Sequence, residues 1–398
     1  MKDLKHLLYF EKLLQDSGNE LIDKARSEGS ICIGTVCYQM PEPLLNLPGC
    51  FAVKLRAPRT SSVEMETYYM TPLHCEFVRA LLERSIEGGF SFLDCIIEPY
   101  ACSQMTTGIE NIENLHLCGK DKPAFFVQHV DTPLKADENA VRHMTKMCRA
   151  RVLGKLNEAF GIDVSDDALR TAVNNYNEIC ALINEIGDYR KLDEPTITGY
   201  EFAVLCLATY CAPWYLIADK LRETAKELKT RKPDKEKQYR IKALLAGSEV
   251  DDPDLVKLIE NAGARIVADR FCFGSFPGRT PIELNDTDDV LEQICRHYVD
   301  QCQCPRYMDN DRIAGRKEYI NDLAREYNAD GIIIQQMNFC NFWPYERAGA
   351  SVILSRDYNW PVLSIDRPYV VGSSGQIRTR IQAFVESVEI KKLQGGKL

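Results

Sequence analysis

Four cysteines share one setting. Cys37, Cys102, Cys272 and Cys340 each follow closely on an apolar run with the pattern of a buried strand. In parallel α/β sheets, the loops beyond the carboxyl ends of the strands form the ligand-binding crevice. Thiolates gathered in such a crevice are soft ligands for iron or zinc. The chain holds 16 cysteines among 398 residues, and its N-terminus does not read as a secretion signal, so a disulfide framework explains them poorly. Core thiols, zinc and an iron–sulfur cluster remain. Zinc sites usually carry paired C-x-x-C elements, whereas the one close pair here is Cys302-Gln303-Cys304. Free cysteine also packs as a small hydrophobe. Cys32, Cys50, Cys95, Cys180, Cys206, Cys211 and Cys295 lie inside apolar strands or on helical faces and read as core.

The elements that must carry these cysteines follow from periodicity and punctuation. Residues 1–29 form an amphipathic N-terminal helix. Residues 30–137 read as a first α/β unit, with strands at 31–36, 50–57, a run ending near Glu98, and 125–130. A helix covers 75–84, with Cys75 in its first turn. Residues 138–238 give only helix signals, broken at 161–163 and 191–198, and the charged stretch 227–240 is the best boundary. Residues 239–398 form a second α/β unit, with strands at 240–250, 264–271, 330–340 and 361–366 and a closing helix from about 377. The expected fold is therefore α/β: two Rossmann-like parallel-sheet units with a helical N-terminus and a helical insertion.

Bulk composition narrows the function. A net charge of -9 disfavours a nucleic-acid partner, because phosphate binding needs a basic face. No apolar run reaches the length of a membrane span, and charges interrupt every turn of the first helix, so a soluble cytoplasmic protein is expected. No G-x-x-x-x-G-K-S/T phosphate loop and no G-x-G-x-x-G after a strand is present, which argues against ATP hydrolysis by this chain and against NAD binding.

A wider pattern joins these residues. It comprises Cys37-Tyr-Gln-Met-Pro41-Glu42, Leu73-His74-Cys75, Glu98-Pro-Tyr-Ala-Cys102 and Asp269-Arg270-Phe271-Cys272-Phe273-Gly274. It continues through Cys302-Gln303-Cys304, the stretch Asp330-Gly331 to Cys340, and Arg378-Thr379-Arg380-Ile381-Gln382-Ala383-Phe384. In order and spacing the chain resembles subunits of 2-hydroxyacyl-CoA dehydratases and ATP-dependent benzoyl-CoA reductases, together with their double-cubane relatives, over nearly its whole length.

The resemblance implies a 4Fe–4S cluster on Cys75, Cys102 and Cys340, with one iron lacking a protein ligand. In the double-cubane branch, Cys272, Cys302 and Cys304 would hold a second cubane, giving an 8Fe–9S cluster. It further implies a separate homodimeric ATP-hydrolysing iron–sulfur activator as electron donor, and pairing as a homodimer or with a homologous subunit. The implied chemistry is one-electron reduction of an acyl-CoA thioester, which lets the 2-hydroxyl leave and acidifies an otherwise inert carbon 3 proton. Ser103 stands where the family usually has Asp, and Pro43 where it usually has Glu.

Other polar candidates are Glu42, as a base, a substrate contact or a helix cap; Arg378 and Arg380, as contacts for CoA phosphates or as solvated surface; and His74, as a donor to a cluster sulfur or as a structural residue. The rival functions are a double-cubane reductase of a small non-CoA molecule, a non-catalytic electron-transfer subunit, and a structural zinc protein.

Overall fold

The computed structural model describes residues 3–58, 60, 64–119, 122, 124–233, 239–370 and 375–394. Eight parallel strands form two four-stranded sheets of the same connectivity. The first contains β1 (Ile31–Thr35), β2 (Cys50–Lys54), β3 (Cys95–Tyr100) and β4 (Phe126–Asp131), ordered β2-β1-β3-β4. The second contains β5 (Ile241–Gly247), β6 (Ala264–Arg270), β7 (Gly331–Met337) and β8 (Val362–Arg367), ordered β6-β5-β7-β8. All of these strands but β4 and β8 bury nearly every residue, so their sequences are largely apolar runs without strict alternation. The expected α/β class with two parallel-sheet units is what the chain adopts.

In each sheet the chain runs to one side of its first strand and then crosses to the other. The switch points therefore lie between β1 and β3 and between β5 and β7. Ligands bind at such points, beyond the carboxyl ends of the strands. Gly247 ends β5 at φ +147°, and a Cβ there would stand 2.0 Å from the Gln335 carbonyl oxygen of β7. Only glycine lets the chain leave the sheet this close to its neighbour and deliver Ser248 and Glu249 to the switch point.

The N-terminus forms two helices, Leu7–Leu13 and Glu20–Ser27, in place of the single helix expected. Asn19 enforces the break, since its side chain accepts from the N–H groups of Leu21 and Ile22 and so caps the second helix. The insertion forms helices Glu138–Met147, Gly154–Phe160, Asp166–Asp188, Gly199–Cys211 and Trp214–Leu228. A π-helical segment, Cys148–Leu153, joins the first two. Residues 234–238 of the charged connector lie outside the described residues. Among the described residues, no helix is long and apolar enough to cross a membrane.

Helix Gly199–Cys211 is buried on nearly every side and lies between β2 of one sheet and β6 of the other. One hydrophobic core runs from Leu4 through the first sheet and the insertion and takes in Phe273, Ile294, Tyr298 and Tyr307 from the C-terminal half. Two smaller cores cover the faces of the second sheet.

Across this seam runs a buried ion-pair network. Glu42, in the turn after β1, pairs with Arg279 Nη1 at 3.0 Å and with Lys54 Nζ at 3.5 Å. Arg279 also donates to Thr209 Oγ1, and its guanidinium lies 3.7 Å from the Tyr210 ring centroid, both on helix Gly199–Cys211. Lys54 Nζ donates to the Cys272 carbonyl at 3.0 Å and sits 3.8 Å from the same ring centroid. Burial pulls the Lys54 ammonium below its usual range, and Glu42 opposes that shift. Removing one member of a buried pair leaves the others uncompensated. Glu42→Ala should therefore cost about 3–5 kcal/mol in chemical denaturation, and a cost below about 1 kcal/mol, the range of exposed pairs, would contradict this account.

Candidate metal centre

The segments of Cys75, Cys102 and Cys340 lie together, and the three thiols are charge neighbours. Cys75 is the N-cap of helix Glu76–Ile86, and Cys102 is the N-cap of helix Ser103–Asn114. Cys340 stands in the turn between β7 and helix Trp343–Arg356. Gln104 laces the three segments together. Its Oε1 accepts from the Cys75 N–H at 3.1 Å, while its Nε2 donates to Asn341 Oδ1 at 2.9 Å. A second tie joins the Glu76 N–H to the Asn338 carbonyl and Asn338 Nδ2 to Glu76 Oε1. Phe339, next to Cys340, adopts φ 60°, a left-handed conformation uncommon for a residue with a Cβ.

Each thiol accepts from backbone N–H groups just downstream: Val78 for Cys75, Gln104 and Met105 for Cys102, and Phe342 and Trp343 for Cys340. Such donors, at helix N-termini, favour anionic sulfur. Burial works in the other direction and dominates. It raises the Cys75 thiol well above its ordinary value, raises Cys102, and pushes Cys340 up to about 12.

A second group lies beside the first. Cys37, after β1, has Cys304, Glu249 and Lys54 among its charge neighbours. Cys272, after β6, has Glu249, Cys37 and Cys304. Cys302 accepts at Sγ from Gln39 Nε2 at 3.8 Å. Arg306 binds this loop to the first unit through Gln39 Oε1 and the Thr132 hydroxyl and carbonyl. Glu249, after β5, is a charge neighbour of both groups, acting on Cys75, Cys102 and Cys340 as well as on Cys37, Cys272 and Cys304. Burial raises its carboxyl above the usual range.

The donor set is made of thiols, the ligand type that iron in a cluster takes. Among the described residues, no three His, Cys, Asp or Glu side chains are arranged to hold one metal ion. Cubane ligands bind different irons and do not converge on one point. Thiols with amide donors to sulfur, in a largely buried cleft, are what an iron–sulfur cluster uses.

The other sequence candidates fall elsewhere. Glu42 opens the turn Glu42–Leu45, and its carboxylate is engaged by Arg279 and Lys54 in the ion-pair network. Its carboxylate is thus committed to two buried cations. His74 Nδ1 lies 3.1 Å from Thr71 Oγ1 in a local turn. Arg378 and Arg380 are exposed on helix Gly375–Leu393, and Arg380 donates to the Ser364 carbonyl. Gln104 and Glu249 carried no signal in the sequence, because a glutamine in a helix and a glutamate after a strand are ordinary residues until the fold brings their neighbours.

Glu98, of the motif ending in Cys102, is fully buried. It accepts from the Thr106 hydroxyl at 2.9 Å and from His129 Nδ1 at 2.5 Å. That bond raises the His129 imidazole above its usual 6.5. The folded chain then holds this proton more tightly than the unfolded chain. The resulting stabilisation is complete below about pH 6.5 and fades as pH rises through the raised folded value. In His129→Gln, denaturation measured across that range should lose this component of the slope; a profile parallel to the parent's would contradict it. For the thiols, alkylation of metal-free protein followed by mass spectrometry should show rates at Cys75 and Cys340 still rising about tenfold per pH unit at pH 10. Levelling near 9, the ordinary thiol value, would contradict the burial effect.

Residues 37–388 match the family model described as 2-hydroxyglutaryl-CoA dehydratase, D-component. The chain is 24% identical over 388 residues to the (R)-2-hydroxyglutaryl-CoA dehydratase beta subunit of Acidaminococcus fermentans, covering 94% of this chain and 96% of that one. It is 22% identical to the (R)-phenyllactyl-CoA dehydratase beta subunit of Clostridium sporogenes, over 95% and 97% of the two chains. It is 20% identical to one subunit of the benzoyl-CoA reductase of Thauera aromatica, over 79% and 80%. With the match spanning every strand but β1 and both groups of thiols, the chain belongs to the 2-hydroxyglutaryl-CoA dehydratase D-component family.

Proposed function

We propose that this chain is the cluster-bearing subunit of an enzyme of the 2-hydroxyacyl-CoA dehydratase and benzoyl-CoA reductase type, working in an anaerobic cytoplasm. The observation that carries the reading is the lacing of the Cys75, Cys102 and Cys340 segments by Gln104 at the facing switch points of the two sheets. Those three thiols would hold a 4Fe–4S cluster. When bound, it supplies low-potential electrons and one iron without a protein ligand.

The chain's own residues would set the conditions. Backbone N–H groups orient the sulfurs, and the half-buried Glu249 places a carboxyl beside both groups of thiols. Arg378 and Arg380 are the candidate contacts for the CoA phosphates. Leu73, Tyr100, Phe339 and Tyr345 are exposed apolar side chains near the three cysteines in sequence. They offer a surface for a second copy or a homologous subunit. A separate ATP-hydrolysing iron–sulfur protein would deliver the electrons.

A second reading is favoured by the second group of thiols. In it the chain is a double-cubane reductase acting on a small molecule without CoA.

Anaerobic purification followed by assay with a reducing activator, ATP and a panel of 2-hydroxyacyl-CoA thioesters separates the readings. The expected result is iron-dependent loss of the 2-hydroxyl, abolished in Cys75→Ala together with the iron of that site. Turnover confined to small non-thioester acceptors would favour the second reading. An iron-free parent prepared under strict anaerobiosis would defeat both.

A further inference from the structure

The two groups of thiols comprise seven cysteines, yet their settings differ. Of the chain's 16 cysteines, only Cys37, Cys102, Cys272, Cys304 and Cys340 keep an intermediate share of accessible surface; every other one is buried. Cys37, Cys272 and Cys304 together line one cavity, whose wall is completed by Arg270, Pro305 and Trp343 among others. Cys302 is absent from that wall. It is 2% exposed, and the Gln39 amide donates to its sulfur.

Cys37 has a further peculiarity. It takes φ 66°, a conformation in which a Cβ is crowded and which few residues other than glycine, Asn and Asp adopt readily. It follows β1 at the switch point of the first sheet, beside β3, the strand that leads to Cys102.

We propose that the second metal-binding triad of this chain is Cys37, Cys272 and Cys304, drawn from the ends of β1 and β6 and the loop after helix Val290–Asp300, and that Cys302 is a packing residue. This rests on the reading of the chain as a cluster-bearing subunit. It changes the ligand set that the family resemblance implies, exchanging Cys302 for Cys37. It also makes the two triads alike, each having three thiols from three separate segments. Each triad would supply three thiolates to a four-iron cluster.

The test is iron and acid-labile sulfide per chain, with EPR of the reduced proteins, on anaerobic preparations of the parent, Cys37→Ala, Cys302→Ala and Cys304→Ala. The expected parent content is about eight irons. Cys37→Ala and Cys304→Ala should lose about half of it, and Cys302→Ala should match the parent in content and spectrum. Loss in Cys302→Ala with retention in Cys37→Ala would overturn the assignment while leaving the cluster-bearing reading intact. About four irons in the parent, unchanged in all three variants, would overturn it in the same way. An iron-free parent would remove both.

Because Cys37→Ala disturbs a left-handed residue, an unvaried measurement accompanies it. Phenylarsine oxide, added to metal-free parent, should protect at least two of Cys37, Cys272 and Cys304 from alkylation and leave the reactivity of Cys302 unchanged. Protection of Cys302 with no protection of Cys37 would overturn the proposal without any mutation.

Discussion

A lysine and an arginine buried beside one glutamate form the constraint on which the cleft depends. Each charge taken out of water costs several kcal/mol, and the cost is offset only if every charge finds partners in good geometry. Lys54, Glu42 and Arg279 find them in one another, in the Thr209 hydroxyl, in the Tyr210 ring and in the Cys272 carbonyl. These partners come from β2, the turn after β1, helix Gly199–Cys211 and the loops after β6. The network therefore fixes, in one step, how the first sheet, the insertion and the second sheet meet. Through the Cys272 carbonyl it also fixes the start of the loop that enters the thiol cleft.

Much of this was legible in the sequence because parallel strands buried on both faces are written as apolar runs. All eight strands coincide with such runs, and the cysteines at their ends were conspicuous for that reason. What was not legible depends on contacts between distant segments. Gln104 matters only because the Cys75 N–H and Asn341 come to either side of it. Glu249 matters only because Gly247 brings the chain out of β5 beside Gln335. Glu42 looked available in sequence, and its commitment to Lys54 and Arg279 appears only once residues 237 positions apart are in contact. The break in the N-terminal helix was nearer to hand, since Asn19 is a strong capping residue, yet the apolar spacing ran through it.

The two sheets share one connectivity, and their switch points face a common cleft. Cys37 and Cys102 stand on one side of it, Glu249 and Cys340 on the other. Cations neighbour both groups of thiols. Lys54, Arg270 and Arg306 act on the cysteines of the second group, and the buried Arg367 is a charge neighbour of Cys75 in the first. Nearby positive charge favours the more negative, reduced form of any redox group.

The large core takes Phe273, Ile294, Tyr298 and Tyr307 from the C-terminal half of the chain. Synthesis proceeds from the N-terminus, so the first sheet and the insertion emerge from the ribosome before the residues that complete their packing exist. A nascent chain stopped anywhere before Tyr307 carries an unfinished apolar surface, and Cys340 is still to come. Closure of the first half and completion of the cleft are thus late events in the life of the polypeptide, and the nascent chain depends on protection from aggregation until then.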